Sequence, residues 1–328
     1  MNDLRPQIVH NLTMMEKLHK SKNDVWKTKA YSLARARITG PIYNKDDVVA
    51  CKFGKSIHEK VLSIVETGKD FVDVTNMDSS VTVLEELATI HAIGTVKAKE
   101  LVEKHHITSI EDLREKQHLL NDKQRVGLKY HDEISQKIPR GEMQKHDALL
   151  CKLLSEQFDN ILHSAVVGSY RREKEASGDI DLIVSTKECD AKGFIPKLLD
   201  IFTNSGYVPA DGVLAKGVKK VMAICTLGEA YVHRRIDVLL TTPLEYIFSV
   251  LYFTGNGEFN VKMREHAKKG GYTLNEKGLF VTRTKERVAH EFVTEKDIFV
   301  FLGIEFVEPK LREPVSFRLT SSSDNMET

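Results

Sequence analysis

Ser177-Gly178-Asp179-Ile180-Asp181 sets two carboxylates two residues apart, and His233-Arg234-Arg235-Ile236-Asp237 ends on a third. In an extended strand every second side chain points to the same face, so Asp179 and Asp181 are expected side by side. Asp237 falls in a second β-rich run, residues 235–240, which can pair beside the first. Three carboxylates at close quarters repel one another. At ~4 Å and an effective dielectric of about 20, each pair costs roughly 4 kcal/mol. Such a cluster persists by holding protons or by holding cations, and a hard divalent cation with oxygen ligands, magnesium above all, meets the need. Two such ions can clamp the attacking and leaving oxygens of a phosphoryl transfer. Transfer of a nucleotide is the chemistry this pattern points to.

A lone Asp-x-Asp more often marks a solvated strand end than a metal site, so the neighbourhood decides. Ile161-Leu162-His163-Ser164-Ala165-Val166-Val167 reads as a strand, and Gly168-Ser169-Tyr170-Arg171-Arg172 then turns into a polar segment. Backbone N–H groups at such a helix start carry partial positive charge and suit a triphosphate. Gly168 allows close backbone approach, Ser169 adds a hydroxyl, and Arg172 can fork onto phosphate oxygens. Ser177 and Gly178, just before the first aspartate, would cradle the same group from the other side.

At 328 residues and 41% hydrophobic composition the chain can bury more than one core. No apolar run approaches the ~18 residues of a membrane span, and the start, Met-Asn-Asp-Leu-Arg-Pro, lacks the apolar stretch of a secretory signal. Cys51, Cys151, Cys189 and Cys225 are scattered without metal-ligand spacing, which suits a reducing compartment. The net charge of +1 announces no nucleic-acid partner, so any attraction to DNA must come from charge sorted onto faces. Residues 10–70 read as short helices ending near Gly68, and the polar stretch 75–80 reads as a linker. A helical stretch follows to about residue 140, interrupted at Gly94 and near Ile107, with Ser109-Ile110-Glu111-Asp112 as a capping-box pattern. Pro139 and Gly141 mark the next boundary, and strands alternate with helices to about residue 250. Residues 272–275 and 279–282 read as strands joined by Glu276-Lys277-Gly278, and from Pro314 the chain reads as a frayed tail.

In this order, the motifs quoted above are joined by Ile107-Thr108-Ser109-Ile110-Glu111-Asp112-Leu113, Gln124-Arg125-Val126-Gly127-Leu128-Lys129-Tyr130, Ile138-Pro139-Arg140 and Leu251-Tyr252-Phe253-Thr254-Gly255. With Val293-Thr294-Glu295-Lys296-Asp297-Ile298-Phe299 as a looser match, the set resembles the family X DNA polymerases, in their polymerase beta branch, from about residue 10 to about 310. The resemblance implies a multidomain α+β chain. Residues 1–79 would form a helical 5′-deoxyribose-phosphate lyase domain, and 80–141 a helical DNA-binding subdomain, both with helix-hairpin-helix motifs. A polymerase beta-like nucleotidyltransferase palm would follow over 142–251, an α+β nucleotide-selection subdomain over 252–313, and a flexible tail over 314–328.

The implied activity is DNA-directed DNA synthesis that fills short gaps in base-excision repair, with a linked lyase. Asp179, Asp181 and Asp237 match the ligands of two magnesium ions, for which manganese can substitute. Asp179 and Asp181 would hold both ions, while Asp237 would hold the catalytic one and accept or relay the primer 3′-hydroxyl proton. Arg140, Ser169, Arg172, Ser177 and Gly178 are expected on the incoming triphosphate. Tyr252 and Phe253 read on pattern alone as core aromatics of a strand; the resemblance puts them, with Gly255, on the sugar pocket, and Asn260 on the minor-groove edge of the incoming base. Arg235 matches a residue near the primer terminus, Lys220 one facing the DNA backbone, and Arg264 one touching the template, with Glu276 as its holding partner. Two departures stand out. Gly257 occupies a position that is acidic in animal relatives, and Leu239 one where close relatives carry an arginine that helps switch the site.

Ile57, Val61, Ile64 and Val65 make a helical apolar stripe with Lys60 at its edge. Partial desolvation and the nearby cations Lys52 and Lys55 are expected to lower the pKa of Lys60, as a Schiff-base lysine needs. Such a lysine taken alone is usually a snorkelling surface residue. Through Gly54, Ile57 and Glu59 it matches the family's lyase lysine, with Tyr31 in support, Lys27 near the 5′-phosphate, and Ser56 where the family carries a second phosphate-gripping lysine. Two helix-hairpin-helix segments, at Ala50-Cys51-Lys52-Phe53-Gly54 and His91-Ala92-Ile93-Gly94, are expected to grip the DNA backbone and to offer a site for a monovalent cation. Each keeps the second glycine, Gly54 or Gly94, while Lys52 and Ala92 replace the first. The expected partners are gapped or nicked duplex DNA, deoxynucleoside triphosphates and other repair proteins, for a monomer with no membrane role. A nuclear location is expected, or a cytoplasmic one for a viral enzyme. Nothing resembles a 3′–5′ exonuclease or an amino-terminal BRCT extension, so gap repair is favoured over end joining or weakly templated synthesis. A non-catalytic DNA-end scaffold would have lost its carboxylates, and all three are present.

Overall fold

The structure is a computed structural model that describes residues 2–21, 24–75, 79–187 and 191–313. It divides into two compact units, residues 1–128 and 129–328. The first unit is helical: α1 (Arg5–Ser21), α2 (Val25–Ala36), α3 (Lys45–Ala50), α4 (Lys55–Thr67), α5 (Val72–Thr75), α6 (Ser79–Thr89), α7 (Thr95–His105), α8 (Ile110–Glu115) and α9 (Asp122–Lys129), the last ending at the boundary. Two apolar cores hold it. Leu12, Val48, Val61 and Ile64 centre the first, and Leu87, Ile90, Leu101 and Leu113 the second. The stripe on α4 is buried as its spacing predicts, and Gly68 ends the helix in the left-handed conformation with its N–H on the Ile64 carbonyl. Ser109 caps α8 by accepting the Asp112 N–H at 3.0 Å. The Asp112 carboxylate, however, accepts from the Thr108 N–H instead of closing the box; Ser109 between them is extended. Of the stretch expected as a linker, residues 76–78 lie outside the described ones, and the residues on either side are helical, in α5 and α6.

The second unit begins with α10 (His131–Ile134), β1 (Ile138–Pro139), α11 (Arg140–Gln157), β2 (Ile161–Val166), α12 (Gly168–Arg171), β3 (Ala176–Ser177), β4 (Ile180–Thr186), α13 (Ala191–Asn204), β5 (Val213–Lys216), β6 (Lys220–Cys225) and β7 (Arg234–Thr241). Five strands form one sheet in the order β2-β4-β7-β6-β5. β4 and β7 run parallel with Asp181 opposite Asp237, and the remaining pairs are antiparallel. Leu150 and Leu154 of α11 and Leu198 and Phe202 of α13 pack with Val184 and Val238 into a core on one face. Along β7 the period of two sends Arg234, Ile236, Val238 and Leu240 into that core and turns Arg235 and Asp237 outward.

The chain continues as α14 (Pro243–Thr254), α15 (Gly257–Lys269), β8 (Tyr272–Asn275), β9 (Gly278–Val281) and α16 (Glu295–Phe301), around Phe248, Phe259, Leu279 and Phe299. Tyr252 and Phe253 therefore lie on the last turn of a helix rather than on a strand. The reason is local: Thr242 and Glu245 close a reciprocal capping box, and Pro243 is pre-set for the first helical position. The tail from Pro314 lies outside the described residues. Among the described residues no helix is long and apolar enough to cross a membrane.

Candidate active sites

Asp181 lies on β4 directly across from Asp237 on β7, and Asp179 stands one residue before β4 begins. Arg235 bonds the Asp179 carboxylate, and Lys220 on β6 reaches Asp237 Oδ2 at 3.0 Å. Lys220 is thus turned onto a carboxylate rather than left free as a backbone contact. Arg235 Nε stands 3.8 Å from Asp237 Oδ1, and both atoms are buried without a hydrogen-bond partner. Burial, with the charges of Asp179 and Asp237, pushes the Asp181 carboxyl up to about 7. Arg235 goes the other way: burial opposes its charge, but Asp179 and the two other carboxylates outweigh it and hold the guanidinium above its ordinary value. Among the described residues no three His, Cys, Asp or Glu side chains converge as a finished metal site. The donors nonetheless fit a hard cation. They are all oxygens, one is an unpartnered buried Oδ1, and two basic side chains, Arg235 and Lys220, meet their negative charge here.

Gly168 opens α12 at φ +63°, and a side chain there would run into Asp181 Oδ2. The neighbouring Val167 N–H donates to the Asp181 carbonyl at 2.8 Å, so the loop that begins at Gly168 is laid against the carboxylates. Arg172 donates to the Thr254 carbonyl, and its buried Nε has no partner. Ser169 is half-buried on this loop, Ser177 is buried in β3 opposite Ile138, and Gly178 is exposed. Arg140 supports the loop from beneath: its guanidinium donates to the Tyr170 carbonyl at 2.9 Å and stacks over the Tyr170 ring at 4.9 Å. Arg140 thus buttresses the loop through Nη1, which bonds backbone carbonyls.

At the end of α14 the rings of Tyr252 and Phe253 meet edge to face at 5.1 Å. Asn260 donates to the Tyr252 carbonyl at 2.7 Å, and Gly255, at φ +65°, lies against Arg172. Arg264 stacks over Tyr252 at 5.5 Å and donates to the Asn260 carbonyl at 3.2 Å. Its holding partners are therefore Tyr252 and Asn260, where Glu276 was expected; Glu276 instead gives its carbonyl to Ser249. Arg264 lies one turn from Asn260 on α15, which brings that carbonyl within its reach.

In the first unit, α1, α2, α4 and α5 border a cavity of about 360 Å³ that gathers Lys27, Tyr31, Ser56 and Lys60. His19 and Asp73 line it too. Lys60 Nζ bonds the Asp73 carboxylate and lies 5.7 Å from the Phe71 ring centre. Burial pushes the Lys60 ammonium down, but Asp73 and Tyr31 outweigh it and hold the pKa above its ordinary value. The expected lowering is thus reversed. The groups that decide it, Asp73 and Tyr31, line the cavity with Lys60, whereas Lys52 and Lys55 do not.

The two hairpins precede α4 and α7, which Gly54 and Gly94 start without a side-chain cap and with open space around them. Their first-turn N–H groups remain available to an anion. Lys52 and Ala92, standing where glycines were expected, take φ of +51° and +65°. The Lys52 carbonyl accepts from Arg37, and the Ala92 carbonyl from Gln124 at 3.1 Å. Both turn carbonyls thus have partners within the fold.

Several site residues escape a reading of the sequence. Asp73 belongs to no motif and reaches Lys60 only because the chain turns back after Gly68. Thr254 holds two arginines at once, Arg171 through its hydroxyl at 2.8 Å and Arg172 through its carbonyl. Glu142 grips the buried Arg234 with both oxygens, at 2.7 and 2.9 Å, and so fixes the strand that carries Arg235 and Asp237. The alternation along β7 was the one available signal for that last pair.

Comparison with known proteins bears on the same regions. The DNA polymerase beta palm model matches residues 137–243, the DNA polymerase beta thumb model 249–313, and the model for the fingers domain of DNA polymerase lambda 85–135. DNA polymerase lambda of Rattus norvegicus is 29% identical over 325 residues, covering 93% of this chain and 56% of the relative. DNA polymerase lambda of Arabidopsis thaliana is 30% identical over 277 residues, 79% of this chain and 52% of the relative. A DNA polymerase/3′-5′ exonuclease of Bacillus subtilis is 28% identical over 158 residues, 48% of this chain and 25% of that protein. The chain spans about half the length of the lambda relatives it matches.

Proposed function

Because this chain belongs to the family X DNA polymerases, we propose that it is a DNA-directed polymerase that fills short gaps in base-excision repair and clears the 5′-deoxyribose phosphate left at them. The observation that carries the polymerase reading is the parallel β4–β7 register, which faces Asp181 with Asp237 beside the Gly168 loop. Two magnesium ions held by Asp179, Asp181 and Asp237 would supply Lewis-acid polarisation of the transferred phosphate and ready ionisation of the primer 3′-hydroxyl. The rest falls to the chain's own residues. Asp237 Oδ1, buried and unpartnered, is the acceptor best disposed for the 3′-hydroxyl proton. Arg172 Nε and the Ser169, Ser177 and Gly178 edge take the triphosphate, and pyrophosphate leaves as the O3′–Pα bond forms. Arg235 and Lys220, which flank the carboxylates, are the basic groups placed to meet the primer strand. Tyr252, Phe253 and Asn260 bound the sugar and base of the incoming nucleotide. In the amino-terminal cavity, Lys60 forms a Schiff base with the abasic sugar, with Lys27 towards its 5′-phosphate and Tyr31 beside the amine.

The test is magnesium-dependent insertion into DNA with a one-nucleotide gap and a 5′-phosphate, each of the four deoxynucleotides supplied separately. Insertion of the templated base is expected, falling at least about 1000-fold in Asp237→Ala. Insertion regardless of template would move the protein to an end-processing role. No insertion by folded protein would leave it a DNA-end scaffold.

A further inference from the structure

Lys60 faces its cavity with a carboxylate already in contact. Asp73 comes from α5, on the far side of the Gly68 turn, and bonds Lys60 Nζ; its exposed side chain still borders the cavity. The other titratable groups facing the pair are His19 from α1 and Tyr31 and Lys27 from α2, and the His19 ring stacks on Tyr31 at 5.5 Å. A lysine bound to a carboxylate rests as an ammonium ion, and an ammonium ion is no nucleophile. Its proton has to leave for an acceptor within bonding reach, and Asp73 is such an acceptor.

Resting on the lyase reading above, we propose that Asp73 is the proton-transfer residue of this cavity. Its carboxylate takes the Lys60 proton as Nζ bonds to the C1′ aldehyde carbon of a 5′-deoxyribose phosphate. It returns that proton to the carbinolamine hydroxyl, which leaves as water, and the resulting iminium cation then stands beside a carboxylate anion. Asp73 next takes the C2′ proton. The electron pair released forms the C2′–C3′ double bond and expels the DNA 5′-phosphate as the C3′–O bond breaks. Water hydrolyses the iminium, freeing the unsaturated sugar phosphate and restoring Lys60, and the C2′ proton passes to solvent.

The experiment uses the full chain on gapped DNA carrying a 5′-deoxyribose phosphate, in two readouts: borohydride trapping of the covalent adduct and release of the sugar. In Asp73→Asn, release should fall about 100-fold at neutral pH, the scale of a lost general base. Trapping should persist, with its pH dependence moved to lower pH because no carboxylate holds the ammonium. Asp73→Glu should restore most of the release. Release by Asp73→Asn within threefold of the unchanged protein overturns the proposal, as does an equal fall of trapping and release, which would mark a structural role. If the unchanged protein traps no adduct, the lyase reading fails and this proposal with it. Trapping that survives while release is unaffected by the substitution sinks the proposal alone.

Discussion

Gly168 sets how closely the loop it opens can lie against the carboxylates. It sits at φ +63°, where a side chain costs about 1–2 kcal/mol, and a methyl group there would displace Asp181 Oδ2. Gly168→Ala is therefore expected to lower insertion by at least about 100-fold while leaving DNA affinity within about threefold, which single-turnover insertion and a DNA-binding titration would separate. An equal loss in both would mean that the residue only holds the fold. The three aspartates were legible from sequence because strand periodicity and their common chemistry point the same way. Asp73 was not, and for the same reason the sign of the Lys60 shift was misread. A sequence displays the cations that precede Lys60 along the chain, whereas its pKa answers to Asp73 and Tyr31, brought across the cavity by folding. Charge constellations that assemble from separate elements leave no spacing to read.

At the scale of the element, the turns before α4 and α7 hold a left-handed residue that is not glycine. Ala92 holds φ +65°, with its carbonyl tied to Gln124, so the surrounding contacts impose a backbone that alanine resists. Ala92→Gly should stabilise the chain by about 0.5–1 kcal/mol, the relief of the left-handed cost less the extra freedom glycine gains when unfolded. Urea unfolding would read it as a higher midpoint at constant slope, and a lower midpoint would mean that the alanine methyl is packed. Elements that end on strong local signals were legible in the same way: α4 stops at Gly68, and the β8–β9 hairpin turns through Glu276 and Lys277. The segment with Tyr252 and Phe253 was misread as a strand because aromatic, β-branched runs look alike in buried helices and buried strands, and the capping box that decides the matter stands ten residues upstream. The pairing of β4 with β7 could be anticipated, but its parallel direction rests on the crossover through α13, β5 and β6.

For the molecule as a whole, the face of the sheet that carries Asp181 and Asp237 depends on polar groups buried beneath the opposite one. Arg234 and Glu142 form a doubly bonded ion pair in the core, and His146, fully buried, meets the Tyr207 hydroxyl at 2.9 Å while its Nε2 stands 3.7 Å from Glu142. Burial lowers the His146 pKa to about 4; Glu142 pulls the other way and Arg234 adds to the lowering. The linkage follows from that direction. Below pH 6.5 the unfolded chain binds a proton on this histidine that the folded chain refuses, so stability is lost as pH falls from 6.5 towards 4 and levels off beneath. At 1.36 kcal/mol per pH unit, a span from 6.5 to about 4 corresponds to roughly 3 kcal/mol. His146→Gln keeps a partner for Tyr207 and cannot titrate. Its urea-unfolding free energy should therefore fall less steeply between pH 6.5 and 4 than that of the unchanged chain, by up to that amount, since the carboxylates other than Glu142, which His146 touches, contribute equally to both. Parallel pH profiles for the two proteins would show that the buried histidine takes up its proton without cost, and that the ion pair beneath the active face is wetter than its burial implies.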